Sequence, residues 1–208
     1  MLPIFSLVAL SAAITSTPED RVTAGDVADE VREVGAFDGL AVEGSLTVEV
    51  IRGAPAGVVV TGSASERADI DTWVEDETLH VAGGGAVKVR VTVPALREVS
   101  VAGSGRVVGS GRWKGESLSA AISGSGRLSL AIEVNGLEVA IAGSGHIELA
   151  GDARNAKVAI QGSGSIELGV KERLEAAIAG SGSVRYRGTD AVKVEAATVG
   201  SGRVRRIE

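Results

Sequence analysis

From about residue 87 to the C-terminus, apolar side chains recur at alternate positions, and glycines interrupt them at regular distances. Three rows show the pattern most plainly: LEVAIAGSGHIEL at 137–149, AKVAIQGSGSIEL at 156–168 and LEAAIAGSGSVRY at 174–186. A period of two sends successive side chains to opposite faces of an extended chain, so these rows predict strands and not helices. The tripeptide Gly-Ser-Gly divides each row. It begins at Gly103, Gly124, Gly143, Gly162, Gly180 and Gly200, at intervals of 21, 19, 19, 18 and 20 residues. A fixed period of this size marks one supersecondary unit stacked on copies of itself. The expectation is an all-β fold, a parallel β-helix in which each coil carries two short strands meeting at a glycine corner.

Aligning the copies on the first glycine yields columns. Val101, Ile122, Ile141, Ile160, Ile178 and Thr198 stand two places before it, and Val99, Ala120, Val139, Val158, Ala176 and Ala196 four places before it. Val107, Leu128, Ile147, Ile166, Val184 and Val204 follow the tripeptide. These columns face inward and stack about 4.8 Å apart into one aliphatic core. The corners pair Gly103 with Gly105, Gly124 with Gly126, Gly143 with Gly145, Gly162 with Gly164, Gly180 with Gly182 and Gly200 with Gly202. Glycine is expected there because a corner needs positive φ and stacked corners leave no room for a Cβ. The serines between them are placed to form a ladder of hydroxyls. Cofactor motifs do not fit. A dinucleotide fingerprint needs a third glycine and a following helix, a phosphate loop needs Gly-Lys-Ser/Thr, and calcium-binding nonapeptides need an Asp ladder at half this period.

The outward columns hold whatever chemistry the repeats present. Ser100, Ala121, Ala140, Ala159, Ala177 and Ala197 form a small, uncharged strip, flanked by Ala102, Ser123, Ala142, Gln161, Ala179 and Val199. That strip is a candidate contact surface for a partner or a second copy. Val108, Ser129, Glu148, Glu167, Arg185 and Arg205 run along the other strand, where Glu167 and Arg185 are expected to pair. Glu148 over Glu167, with His146 close by, is the one arrangement resembling an acid/base site, since stacked carboxylates lie at the spacing of a retaining glycosidase pair. Exposed glutamates in neighbouring coils are more simply a solvated face. Arg185, Arg187, Arg203, Arg205 and Arg206 concentrate basic charge on the last two coils; they form a candidate anion contact, or protect an exposed strand edge. Trp73 and Trp113 are expected to cap the core.

Composition narrows the classes. Aromatics are only 2% of the chain against 44% hydrophobic residues, so the core is built from aliphatic side chains. The net charge of −6 argues against a nucleic-acid partner. The absence of cysteine excludes disulfides and thiol catalysis, and with two histidines we expect neither a metal site nor a cofactor. Residues 1–17 resemble a secretory signal: an uncharged apolar run from Leu2, too short to span a bilayer, reaches the small residues Ser11-Ala12-Ala13. Export to periplasm, cell surface or medium follows, with no transmembrane segment in the mature chain. Residues 18–35 read as a linker or loose cap, and 36–208 as the β-helix domain, with regular coils from about 94.

Three further stretches complete the picture: FDGLAVEGSLTVEVIRG at 37–53, WVEDETLHV at 73–81 and VKVRVTVPALREVSVAGSG at 87–105. Together with the Gly-Ser-Gly coils they resemble the bacterial family described as "putative auto-transporter adhesin, head GIN domain". The resemblance runs from about Phe37 to the C-terminus. It implies a single-stranded right-handed parallel β-helix in exported bacterial proteins, with no established enzymatic activity. The expected function is therefore a non-catalytic binding or adhesin-like module of the cell envelope, its partner an envelope polysaccharide, a surface protein or another copy of itself. The alternatives are a β-helical lyase or glycosidase and a self-assembling scaffold.

Overall fold

The computed structural model describes residues 27–208; the signal sequence expected at 1–17 and the first part of the linker lie outside the described residues. Along the chain run β1 (Ala28–Arg32), β2 (Gly39–Gly44), β3 (Thr47–Arg52), β4 (Gly57–Gly62), the short helix α1 (Ala64–Ala68), β5 (Asp71–Glu75), β6 (Thr78–Gly83), β7 (Lys88–Val93) and β8 (Glu98–Gly103). The long strands β9 (Arg106–Gly124), β10 (Arg127–Gly143), β11 (His146–Gly162) and β12 (Ser165–Gly180) follow. The chain closes with β13 (Ser183–Arg187), β14 (Lys193–Gly200) and β15 (Arg203–Ile207). They wind into a parallel β-solenoid of about six turns.

The repeat arithmetic explains the register. β10 pairs with β11 along its length, placing Leu128 on Ile147, Val139 on Val158, Ile141 on Ile160 and Gly143 on Gly162. The three inward columns are buried in every coil but the last, with Ile122, Ile141, Ile160 and Ile178 each 2% exposed or less. In β10 burial alternates from Leu128 to Val134, slips one step at Asn135–Gly136, and resumes at Leu137, Val139 and Ile141. In β10 the phase therefore changes away from the Gly-Ser-Gly corner, across which Ile141 and Ile147 keep the same parity.

The two corner glycines have different reasons. The first of each pair lies at positive φ, +122° at Gly143, and a Cβ there would sit 2.5 Å from the Gly124 carbonyl oxygen. At Gly145 no such φ occurs. Its Cβ would instead meet Ile122 Cγ2 at 2.6 Å, so only packing demands glycine. The expected ladder of serine hydroxyls does not form: the corner serines are exposed, and their backbone amides carry the stacking. Ser144 N donates to Gly124 O and Ser163 N to Gly143 O, both at 2.9 Å. An amide is held by the chain path, whereas an exposed hydroxyl is free to bond water.

The N-terminal coils are not wound in chain order. β2 lies between β6 and β8, with Gly44 in register with both Gly83 and Gly103. β3 likewise lies between β7 and β9. The stacked coils thus begin at Gly39, earlier than about residue 94, and Gly44 and Gly83 add two rungs to the corner ladder. The chain builds the second coil, leaves through β4 and α1, builds the outermost coil, and returns. Three elements close this end. α1 is capped by Ser63, whose hydroxyl accepts from the Glu66 amide while the Glu66 carboxylate reaches back to the Ser63 amide. β5 pairs antiparallel with β6, and β1, inside the expected linker, pairs antiparallel with β4. β1 is held from below: Arg32 donates to the carbonyl oxygens of Ile70 and Arg67, and Glu30 bridges Arg32 and Arg67 at 3.0 and 3.2 Å. The opposite end has no cover among the described residues. Every residue of β14 is exposed, including the inward-column members Val194, Ala196 and Thr198, because no further coil stacks on them.

Candidate functional site

The small-residue strip is continuous and straight. Register connects Ser100 to Ala121, Ala121 to Ala140, Ala140 to Ala159, Ala159 to Ala177 and Ala177 to Ala197. It extends backward through Ala41 and His80 to Trp73. The methyl groups from Ala140 onward are exposed, and no described residue covers them. Because the central column is short and its neighbours are longer, the face is hollowed. A shallow groove of about 430 Å³ runs over Ala140, Ala159, Ala177 and Ala197, with Glu138, Lys157, Glu175 and Glu195 as one wall. A second hollow of about 290 Å³ continues it over Ser100, Ala121 and Gln161. Arg173 bridges Glu195 at 2.7 Å and Glu175 at 3.5 Å, and these carboxylates hold its guanidinium above its ordinary pKa. The wall is a charged row with a net acidic balance, in which Glu175 and Glu195 share Arg173.

The expected roles of the two tryptophans divide. Trp113 does close the core. β3 pairs with β9 only as far as Ser110, so no earlier strand pairs with residues 111–118, and Trp113, 2% exposed and in register with Ile132, ends the row there. Trp73 does not. It is 40% exposed on the outer face and stacks on His80 with ring centroids 4.8 Å apart and planes 8° from parallel. The antiparallel hairpin causes this, since directly opposed residues project to the same side. Trp73 and His80 therefore form the last two rungs of the column, beyond the two hollows, whose linings stop at Ser100. The chain alternation around WVEDETLHV held that signal, but only the pairing of β5 with β6 turns it toward the alanines.

The C-terminal arginines are brought together, and three of the five are ion-paired. Arg185 lies 3.1 Å from the Glu167 carboxylate and Arg187 bridges the same group, while Arg206 pairs with Asp190. That pairing holds the Arg206 guanidinium above its ordinary pKa. Arg203 and Arg205 have no ion-pair partner among the described residues. The expected Glu167–Arg185 pair is present, and Arg187 joins it. Glu148 and Glu167 are register partners, as their spacing requires, but they do not share an environment. Glu148 is exposed, whereas the Glu167 side chain is 14% exposed beneath two guanidinium groups. The His146 Nδ1 lies 2.6 Å from Ser165 Oγ, and neither carboxylate is among its hydrogen-bond partners. A retaining pair needs two carboxyl groups that both face the substrate, whereas Glu167 is engaged by two guanidinium groups. No cluster of acidic, histidine or cysteine side chains among the described residues is arranged to hold a metal ion.

The sequence profile of the family described as "Putative auto-transporter adhesin, head GIN domain" matches residues 36–206. The chain belongs to this family. No curated protein matches it. Among solved structures it is similar to a putative adhesin from Bacteroides fragilis, with a TM-score of 0.75 and 20% identity over 88% of this chain and 98% of that one. A putative adhesin from Parabacteroides distasonis follows at a TM-score of 0.64 and 20% identity, with the same coverage of each chain. A protein from the same organism named a putative lipid binding protein gives 0.57 at 19% identity, again over 88% and 98%. At these identities the likeness concerns the fold, and it agrees with the head GIN solenoid read from the glycine corners. No helix among the described residues is long and apolar enough to cross a membrane.

Proposed function

We propose that this head GIN protein is an exported, non-catalytic binding module of the cell envelope, and that the hollowed alanine face is where it meets its partner. The observation that carries the reading is the uncovered groove over Ala140, Ala159 and Ala177, bounded by the charged row Glu138, Lys157, Glu175 and Glu195. Flat arrays of small side chains let a partner approach the sheet closely, and exposed apolar strips of this extent mark contact surfaces. An envelope polysaccharide or a surface protein suits such a face, and a second copy of the chain would fit the same geometry. The apolar run at 2–13 and the family's adhesin description support export.

The test is a binding screen of the mature chain against envelope fractions and purified glycans, with Ala140→Arg and Ala159→Arg as probes. Each arginine fills the groove without touching the core, so binding is expected to fall by at least about tenfold with folding intact. Retention of wild-type binding in both variants overturns the assignment of the face. Light scattering of the same variants separates partner binding from self-association. Turnover of any glycan that disappears in Glu148→Gln or Glu167→Gln would overturn the non-catalytic reading.

A further inference from the structure

Around the Gly-Ser-Gly corner from the alanine face lies a second groove, of about 670 Å³, whose lining includes Arg106, Arg127, Ser129, His146 and Ser165. Its charge is unusual for this molecule. Arg106 and Arg127 are direct register partners, one coil apart, and His146 is the next rung. Like charges placed directly opposite on neighbouring strands are destabilising. Other like-charged partners occur, but an opposite charge joins each: Glu167 lies 3.1 Å from Arg185, which is opposite Arg205, and Arg173 lies 2.7 Å from Glu195, which is opposite Glu175. Neither Arg106 nor Arg127 has an ion pair or a side-chain hydrogen bond among the described residues. In a chain with 27 acidic residues and a net charge of −6, two stacked and unmatched guanidiniums form a local reversal of the overall field.

The neighbouring column deepens the reversal. Its rungs run Arg90, Glu49, Val108, Ser129, Glu148, Glu167, so the positions beside the two arginines hold an aliphatic group and a hydroxyl. Glu49 is occupied by Arg90 at one end, and Glu148 bounds the groove at the other. The His146 Nδ1 is engaged by Ser165, which fixes the ring beside the arginines. The result is a short line of basic side chains that faces solvent, with Glu148 as the one carboxylate in the lining.

We propose that this groove binds a linear polysaccharide bearing carboxylates, which lies along the solenoid axis with successive acid groups over Arg106 and Arg127. The guanidinium fork matches a planar carboxylate in two parallel hydrogen bonds. Ser129 and His146 stand where sugar hydroxyls would flank those acids. An anionic membrane suits the groove less well. A lipid surface calls for about four to eight basic residues, and it would be repelled by the acidic remainder of the molecule. This site is separate from the alanine face and does not depend on it.

The experiment uses polygalacturonate as the probe and the mature chain by calorimetry at about 50 mM salt, where surface charge is least screened. Wild type is expected to bind polygalacturonate and not neutral dextran. Arg106→Gln with Arg127→Gln should weaken binding at least about tenfold, Arg203→Gln with Arg205→Gln should leave it unchanged, and Glu148→Gln should tighten it. The first pair should also keep or raise the melting temperature, since it removes a repulsion and no contact. Ala159→Arg should not alter polygalacturonate binding, which separates failure of this site from failure of the alanine face. Three outcomes overturn the proposal: unchanged affinity in the Arg106/Arg127 variant, an equal loss in the Arg203/Arg205 variant, or retention on phosphatidylglycerol vesicles stronger than on polygalacturonate.

Discussion

Replacing Gly143 with alanine tests why the corner tripeptide has its form. The substitution forces an L side chain to φ +122°, and its Cβ would stand 2.5 Å from Gly124 O, a contact that real Cβ atoms do not make. That oxygen is the acceptor for the Ser144 amide at 2.9 Å, so relief of the clash must stretch the bond joining the two coils. Backbone strain of this kind costs about 1–3 kcal/mol, and the weakened hydrogen bond about 1 kcal/mol more, giving a loss of about 2–4 kcal/mol. Gly145→Ala is the informative comparison. Its Cβ meets Ile122 Cγ2 at 2.6 Å with ordinary backbone geometry, an overpacking that costs about 1–3 kcal/mol. The two differ in what can relieve them. Trimming Ile122 to alanine removes the obstructing methyl, so a double-mutant cycle with Gly145→Ala should show a favourable coupling of about 1–2 kcal/mol. The same cycle with Gly143→Ala should show almost none, because its obstruction is backbone. Urea unfolding followed by the fluorescence of buried Trp113 supplies the four free energies for each cycle. A Gly143→Ala protein within about 0.5 kcal/mol of wild type, or one rescued by Ile122→Ala, would refute the reasoning.

Two other outcomes are expected from the structure. Ile178 and Thr198 share one inward column, but Ile178 is 2% exposed and Thr198 lies on the uncovered end; Ile178→Ala should cost about 2–5 kcal/mol and Thr198→Ala close to nothing in the same urea assay. The carboxyl of Glu30 is held below the usual range, first by its hydrogen bond from Arg67 and also by Arg32, against a smaller opposing effect of desolvation. A lowered carboxylate stabilises the fold above the unfolded value of about 4.3 and loses that contribution as pH falls through the folded value. Melting curves of wild type should therefore drop more steeply than those of Glu30→Gln as pH falls below about 4.5, and parallel curves would contradict the role given to this ion cluster.

Most of the solenoid was legible because its determinants are local and repeated. Six copies of Gly-Ser-Gly at nearly constant spacing set the coil length, and two-residue alternation set which columns face inward; Val139, Val158 and Ile160 are buried as that alternation requires. The alanine strip followed from the same columns. Less legible was the N-terminal third. Residues 39–53 and 78–93 carry the same alternation, but nothing in their order states that the later coil stacks outside the earlier one, and Gly44 with Gly83 lacks the full tripeptide. Trp73 was misassigned for a related reason, since its orientation depends on an antiparallel partner. Arg106 and Arg127 were visible as residues following the corners, but their lack of acidic neighbours appears only when coils are stacked.

The amino-acid order by itself determined the unit: a coil of eighteen to twenty-one residues, closed at a glycine corner, with an aliphatic inside and a small-residue outside. It could do so because side-chain direction in a strand depends on parity alone, and the φ a corner demands depends on one residue. Only the tertiary structure decided which coils touch, which end is closed by β1, α1 and β5, and which charges find partners. Those outcomes depend on distances between residues far apart in the chain, and parity carries no information about them.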